Sequence, residues 1–296
     1  MRSGFLRNAV QFRLKTVLLL QLAIAALLAC LADEIRARRR QAAVANELHQ
    51  KLQRLPDVVG DISLAPSGPT AVSNSPVARF VFGESYFVRP KSALVFFYGS
   101  YDGADQDATA IITKIGDLPS LDSLRIHLPR IREINLHSLR TLGQLTYLDL
   151  EQTRIGPRGL DFMRSMPALE YLGLEKTGLT DADAHLIGKC ERLVRLNVSE
   201  TQIGDPTLEE IGKLKHLQSL FISGTKVSGD GLKHLRGLKK LEYIDMSRIA
   251  VDETGARHLA AIGSLQTLVL SDICIQETDV EALQKALPNC WILRER

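Results

Sequence analysis

Tyr147, Tyr171 and Arg195 stand 24 residues apart, and Tyr243 stands two such intervals beyond Arg195. Asp149, Glu151, Glu175 and Asn197 follow the first three by two or four residues, and Phe221 holds the matching place after Ser219. Steps of two keep side chains on one face of a strand. Aromatic rings and a guanidinium beside carboxylates supply large contact area and directional charge, the chemistry on which protein recognition depends. Such a set contains no activated nucleophile and no poised acid–base pair.

A search for catalysis elsewhere returns nothing. The chain has no G-x-S-x-G, no phosphate-binding P-loop and no H-E-x-x-H. Asp102, Asp105 and Asp107 lack the glycine and distal glutamate of a calcium loop, so they read as a solvated loop. His234 and His258 recur at one interval with no third ligand beside them, so they read as solvent-facing. Asn197-Val198-Ser199 matches a glycosylation acceptor but falls in a strand. Of the four cysteines, Cys190 reads as a small core residue; Cys274 and Cys290 are either a pair or two separate buried thiols, and the latter is the simpler reading. A net charge of +3 is too small for a dedicated nucleic-acid face. The expectation is a non-catalytic chain with no cofactor, no metal, no nucleic acid and no small-molecule substrate.

The interval that spaces the aromatics is a repeat. Leu121, Leu145, Leu169, Leu193, Leu217, Leu241 and Leu265 are 24 residues apart without a slip. Each opens one phrase: LTYLDLEQTRI recurs as LEYLGLEKTGL, LVRLNVSETQI, LQSLFISGTKV, LEYIDMSRIAV and LQTLVLSDICI, after a weaker LDSLRIHLPRI. Apolar residues at the fourth and sixth places predict a strand with one buried face. Later apolar residues spaced by three, such as Leu160, Met163 and Met166, predict a helical turn, with Thr180, Ser228 and Asp252 where caps would sit. No unit can bury its apolar edge alone, so the units must stack.

The phrase resembles the leucine-rich repeat family over about 121–292, in a 24-residue Thr-type form like that of bacterial membrane-anchored leucine-rich-repeat proteins. The resemblance implies an α/β right-handed solenoid, with a parallel sheet on its concave side and short helices on its convex side. It implies that Thr153, Thr177, Thr201 and Thr225 replace the family's turn-satisfying Asn or Cys. Pro129, Ile249 and Ile273 depart from that pattern, so the ladder should break at both ends. Ile292 falls where an eighth strand would begin.

The remaining chain divides by composition. Residues 1–15 are a basic tail, and 16–32 are 17 residues without a charge, near the lower limit for crossing a bilayer. A cleaved signal and a lipoprotein signal at Leu27-Leu28-Ala29-Cys30 are alternatives to an uncleaved signal anchor, which the continuous helical pattern favours. Basic residues flank both sides evenly, so a long C-terminal domain outside the cytoplasmic membrane is the expected orientation. Residues 33–55 form a helical stalk whose Val44, Leu48, Leu52 and Leu55 are either a partner seam or a contact with the chain's own domain. Residues 56–76 read as a Pro-rich linker, 77–120 as an N-terminal cap with a divergent half-repeat, and 121–296 as solenoid with a C-terminal cap.

Two functions compete on this reading. One is a membrane-tethered module that binds a protein or peptide on the concave face, through Tyr147, Asp149, Glu151, Tyr171, Glu175, Arg195, Asn197, Phe221 and Tyr243. The other is a structural spacer of the cell envelope. The acids beside the tyrosines favour a basic partner segment. The basic run from Lys213 to Lys240 reads as a solvated convex face, or as a contact for anionic envelope material.

Overall fold

The computed structural model describes residues 32–34, 36–55, 58–66, 88–97, 104–131, 134–156, 159–271 and 276–294. The apolar segment 16–32 lies outside the described residues except for its last position. Among the described residues no helix is long and apolar enough to cross a membrane. The chain divides into two compact units: Met1–Ala43 with Leu64–Arg89, and Val44–Ser63 with Pro90–Arg296. The described part of the smaller unit is helical up to residue 43, with the ends of two strands.

Ten strands lie in one sheet in chain order: β1 (Val58–Pro66), β2 (Val88–Phe97), β3 (Ser123–His127), β4 (Tyr147–Asp149), β5 (Tyr171–Gly173), β6 (Arg195–Asn197), β7 (Ser219–Phe221), β8 (Tyr243–Asp245), β9 (Thr267–Val269) and β10 (Trp291–Leu293). From β2 to β10 every neighbouring pair is parallel. The register repeats without a slip, as in Leu148↔Leu172, Leu172↔Leu196 and Leu196↔Leu220. The fourth and sixth places of each phrase point inward, and Leu148, Leu150, Leu172, Leu174, Leu196, Val198, Leu220 and Ile222 are all fully buried.

The half-repeat at β2 pairs Ala93 with Leu124 and Val95 with Ile126, so Ala93 and Val95 are its inward residues. Its unit is longer than the others because it closes with a full helix, Ala104–Ile115. Asp105 and Asp107 sit in the first turn of that helix, which corrects the loop reading; carboxylates there face the positive end of the helix dipole. Strand β1 corrects the linker reading of 56–76. VVGDISLAP alternates β-branched and small residues, and the prolines bound this run rather than fill it.

Residues 36–54 are helical. Within the larger unit, Ala45, Leu48 and Leu52 are buried in the solenoid core and Val44 and Leu55 pack against it. Lys51 and Glu47 form ion pairs with Asp107 and Lys114 of the Ala104–Ile115 helix, at 3.8 and 3.5 Å. The stalk stripe is therefore part of the solenoid's own cover, seated on the apolar face that a first repeat would otherwise expose.

A second feature holds the strands in register. Gln152, Lys176, Glu200 and Arg248, with Gly224 among them, occupy the eighth place and all have positive φ, from 54° to 64°. That conformation turns each N–H onto the seventh-place carbonyl of the next unit: Gln152 to Glu175 at 2.8 Å, Lys176 to Ser199 at 3.1 Å, Glu200 to Ser223 at 2.8 Å. The hydrogen-bond ladder so continues past the strands. Side chains rarely adopt this conformation, and the ladder compensates for it.

The threonines close the turn from inside. Thr177, Thr201 and Thr225 donate to the carbonyls of Leu174, Val198 and Ile222, at 2.7, 2.5 and 2.7 Å. Thr153 donates to the carbonyl of Ile126 and accepts from the N–H of Leu128 in the preceding unit. Ile249 replaces the threonine by packing into the core. Of the three expected helix caps only Asp252 acts as one, accepting from the N–H of Gly255 at 2.8 Å. Thr180 makes no side-chain cap, and the residue at the cap beside Ser228 is Gly229. Ser228 instead donates to Asp205 of the preceding unit through both its N–H and its hydroxyl.

Candidate functional site

The outward third, fifth and seventh places of successive phrases form columns across the sheet. Parallel strands lie about 4.8 Å apart, so residues at one place become immediate neighbours. Tyr147 pairs with Tyr171, and Tyr171 with Arg195, in direct register. The Tyr147 and Tyr171 rings stack at 4.2 Å with planes 4° apart. Sheet spacing alone brings the rings that close.

Arg125, at the fifth place of β3, completes this group. Its guanidinium lies 5.5 Å from the Tyr147 ring centre, contacts the Tyr147 hydroxyl, and pairs with Asp149 at 3.0 Å. Arg125 was absent from the residues favoured by sequence. Its signal was its place, one strand from Asp149 in the same column.

Asp149 differs from a solvent-facing acid. Its side chain is only 8% exposed, against 45% for Arg125. It accepts from the Arg125 Nε, from the Tyr147 hydroxyl at 3.3 Å, and from the N–H of Glu151 at 3.2 Å. Gly173 makes room for it, since a Cβ there would lie 2.5 Å from the carboxylate. Asp149 is a positioning residue that orients Arg125 and Tyr147. Burial, followed by the Asp149 charge, pushes the Tyr171 phenol well above its usual range, so that ring stays neutral. The hydrogen bond to Tyr147 raises Arg125 further.

The other acids are also engaged. Glu175 pairs with Lys176 at 3.1 Å and accepts from Asn197 Nδ2 at 3.1 Å. Glu151 accepts from Gln152. Asn197 Oδ1 accepts from the N–H of Ser199, the same local turn that Asp149 and Asp245 make with Glu151 and Ser247. Asp245 further accepts from Ser223 and Ser247 hydroxyls, at 2.6 and 2.8 Å. Of the acids beside the tyrosines, Asp149 and Glu175 are thus paired with Arg125 and Lys176, while Glu151 accepts only from the neutral Gln152 amide among the described residues.

Phe221 and Tyr243 form a second aromatic pair, 5.0 Å apart and tilted by 38°. Burial and the neighbouring Asp245 raise the Tyr243 phenol. Arg195 stands between the two aromatic groups and is exposed. The solenoid so brings all nine favoured residues onto one face, in two aromatic clusters flanking one arginine.

The convex run behaves differently. Lys213 pairs with Glu210 at 2.6 Å, Lys215 donates to the Gly212 carbonyl, and Arg236 and Lys240 contact His258 and His216. His258 is held below the usual histidine range, first by desolvation and then by Arg236. Among the described residues no cluster of three or more His, Cys, Asp or Glu is placed to hold a metal ion.

No protein-family model matches the sequence, and no curated protein matches it. Solved structures similar to it include internalin C2 of Listeria monocytogenes, with 21% identity over 62% of this chain and 74% of that one, at a TM-score of 0.48. A leucine-rich-repeat protein of Leptospira interrogans shares 19% identity over 61% of this chain and 56% of that one, at a TM-score of 0.40. The repeat phrase and the unbroken parallel register decide the architecture. The fold is a solenoid of 24-residue leucine-rich units stacked on one parallel sheet. Its buried faces account for the leucines, and its outward columns carry the aromatic and charged side chains.

Proposed function

We propose that the protein is a non-catalytic, membrane-tethered recognition module that binds a protein or peptide segment on the concave face of its solenoid. The observation that carries this reading is the preorganised group on β3–β5. Arg125, Tyr147 and Tyr171 are fixed by Asp149 and by ring stacking before any partner arrives. Rigid aromatic and arginine side chains lose little conformational entropy on binding, and interface energy concentrates in them. A spacer has no use for a buried carboxylate that orients exposed groups. Tethering rests on the uncharged run 16–32 and its basic flanks, with the solenoid outside the cytoplasm of a single-pass protein.

The test has two arms. Full-length protein should remain in the membrane fraction through salt and carbonate washes, while a chain starting at Asp33, which keeps the helix and strand packed on the solenoid, should not. Tyr147→Ala with Tyr171→Ala should abolish capture of the partner by the full-length chain, with circular dichroism unchanged. Undiminished capture refutes the recognition surface; release by carbonate refutes the tether.

A further inference from the structure

The two aromatic clusters leave a notch between them. Arg195 is in register with Ser219, and Ser219 with Tyr243. Arg195 and Tyr243 therefore stand two strands apart, roughly 10 Å, with the small Ser219 as the floor. Tyr171 bounds the notch beyond Arg195, and Phe221 lies beside Ser219 at the fifth place of β7. One wall is a guanidinium, and the other is the Phe221–Tyr243 pair.

Charge distinguishes Arg195 from its neighbours. Arg125 pairs with Asp149, Lys176 with Glu175, and Arg248 with Glu200 across the side-chain gap at Gly224. Among the described residues Arg195 has neither a hydrogen bond nor an ion pair from its side chain. The register places Arg195 and Tyr243 on either side of Ser219, in one outward column. A guanidinium beside aromatic walls presents a planar fork suited to a carboxylate, in surroundings that screen it less than bulk water.

We propose that Arg195 reads an anion: the partner is a peptide segment whose Asp or Glu carboxylate docks on its guanidinium, beside an apolar side chain seated on Phe221 and Tyr243. This rests on the concave face being the binding surface. Of the acids on this face, Glu151 and Asp245 keep no cation among the described residues, yet Asp245 is saturated by Ser223 and Ser247. Glu151 lies two strands from Arg195, at the seventh place rather than the third. A basic segment would have to centre there.

The test uses full-length protein in detergent micelles and arrays of short synthetic peptides in acidic, basic and neutral sets of equal apolar content. The acidic set should bind best and weaken as salt rises. Arg195→Ala should weaken it about 10- to 100-fold, the span expected for losing a charge-assisted hydrogen bond. Arg195→Lys should keep part of the binding, and Arg195→Glu should turn the preference to the basic set. Arg195 is exposed, so these variants should fold as the parent does by circular dichroism. Equal binding of acidic and basic sets, or acidic binding indifferent to Arg195→Glu, overturns the proposal. Basic-set binding lost in Tyr147→Ala would keep the concave site and reject its anion reading. Binding to none of the sets would reject both.

Discussion

Leu196 and Arg195 are sequence neighbours on β6 with opposite fates, and truncating each to alanine tests the register on which every assignment above depends. Leu196 is fully buried, between Leu172 and Leu220 in the inward column. Leucine to alanine removes about three methylene equivalents, roughly 2.4 kcal/mol of transfer energy at about 0.8 per group. A cavity term adds to it, because fully buried neighbours above and below relax only partly, and the total should be about 3–4 kcal/mol. Arg195 is exposed and unpaired among the described residues, so its truncation should change stability by less than about 0.5 kcal/mol. The assay is urea denaturation followed by circular dichroism. Contacts in a solenoid are with adjacent units, so the Leu196 variant should also broaden its transition as the two halves uncouple. Equal losses for the two variants would refute the strand register, since a one-residue slip exchanges the faces.

Three further outcomes follow from the geometry. Lys176→Gly should be neutral or stabilising by up to about 1 kcal/mol, because Lys176 sits at φ 54°. Gly224→Val should destabilise instead, since φ is 64° and its Cβ would meet Glu200 at 2.6 Å; thermal melting separates the two. The Cys190 thiol, pushed up to about 11 by burial, should escape alkylation in native protein at mildly alkaline pH and react once urea is added, as read by peptide mass spectrometry. His258 has a depressed folded-state pKa, so its contribution is present above the ordinary histidine range and lost as pH falls below it. Urea midpoints should therefore drop less on mild acidification in His258→Gln than in the parent; an identical drop would show that this histidine is not coupled to folding.

The repeat made most of the fold legible. Leucines at fixed places specify both the buried column and the strand spacing, so Tyr147, Tyr171 and Arg195 could be placed side by side from sequence. Two kinds of information were not available there. Burial of a polar side chain depends on its neighbour across the ladder: Asp149 sinks because Gly173 has no Cβ and Arg125 lies opposite. The eighth-place column of positive φ is invisible too, because Gln152, Lys176, Glu200 and Arg248 carry no glycine signature. Strand β1 was missed because Pro56, Pro66 and Pro69 outweighed a short alternating run. The helix caps fail at Thr180 and Ser228 because their hydroxyls donate to carboxylates instead: Thr180 to Asp183 at 3.5 Å, and Ser228 to Asp205 of the preceding unit at 2.6 Å.

The central claim is that recognition occurs on the concave columns. Its most direct test is site-specific photocrosslinking in intact membranes, with a benzophenone side chain introduced at Tyr243 on the concave face or at Lys233 on the convex one. The account predicts a discrete adduct from position 243, lost on adding Tyr147→Ala with Tyr171→Ala, and none from 233. An adduct from 233 alone, or one from 243 that survives the double substitution unchanged, would contradict it.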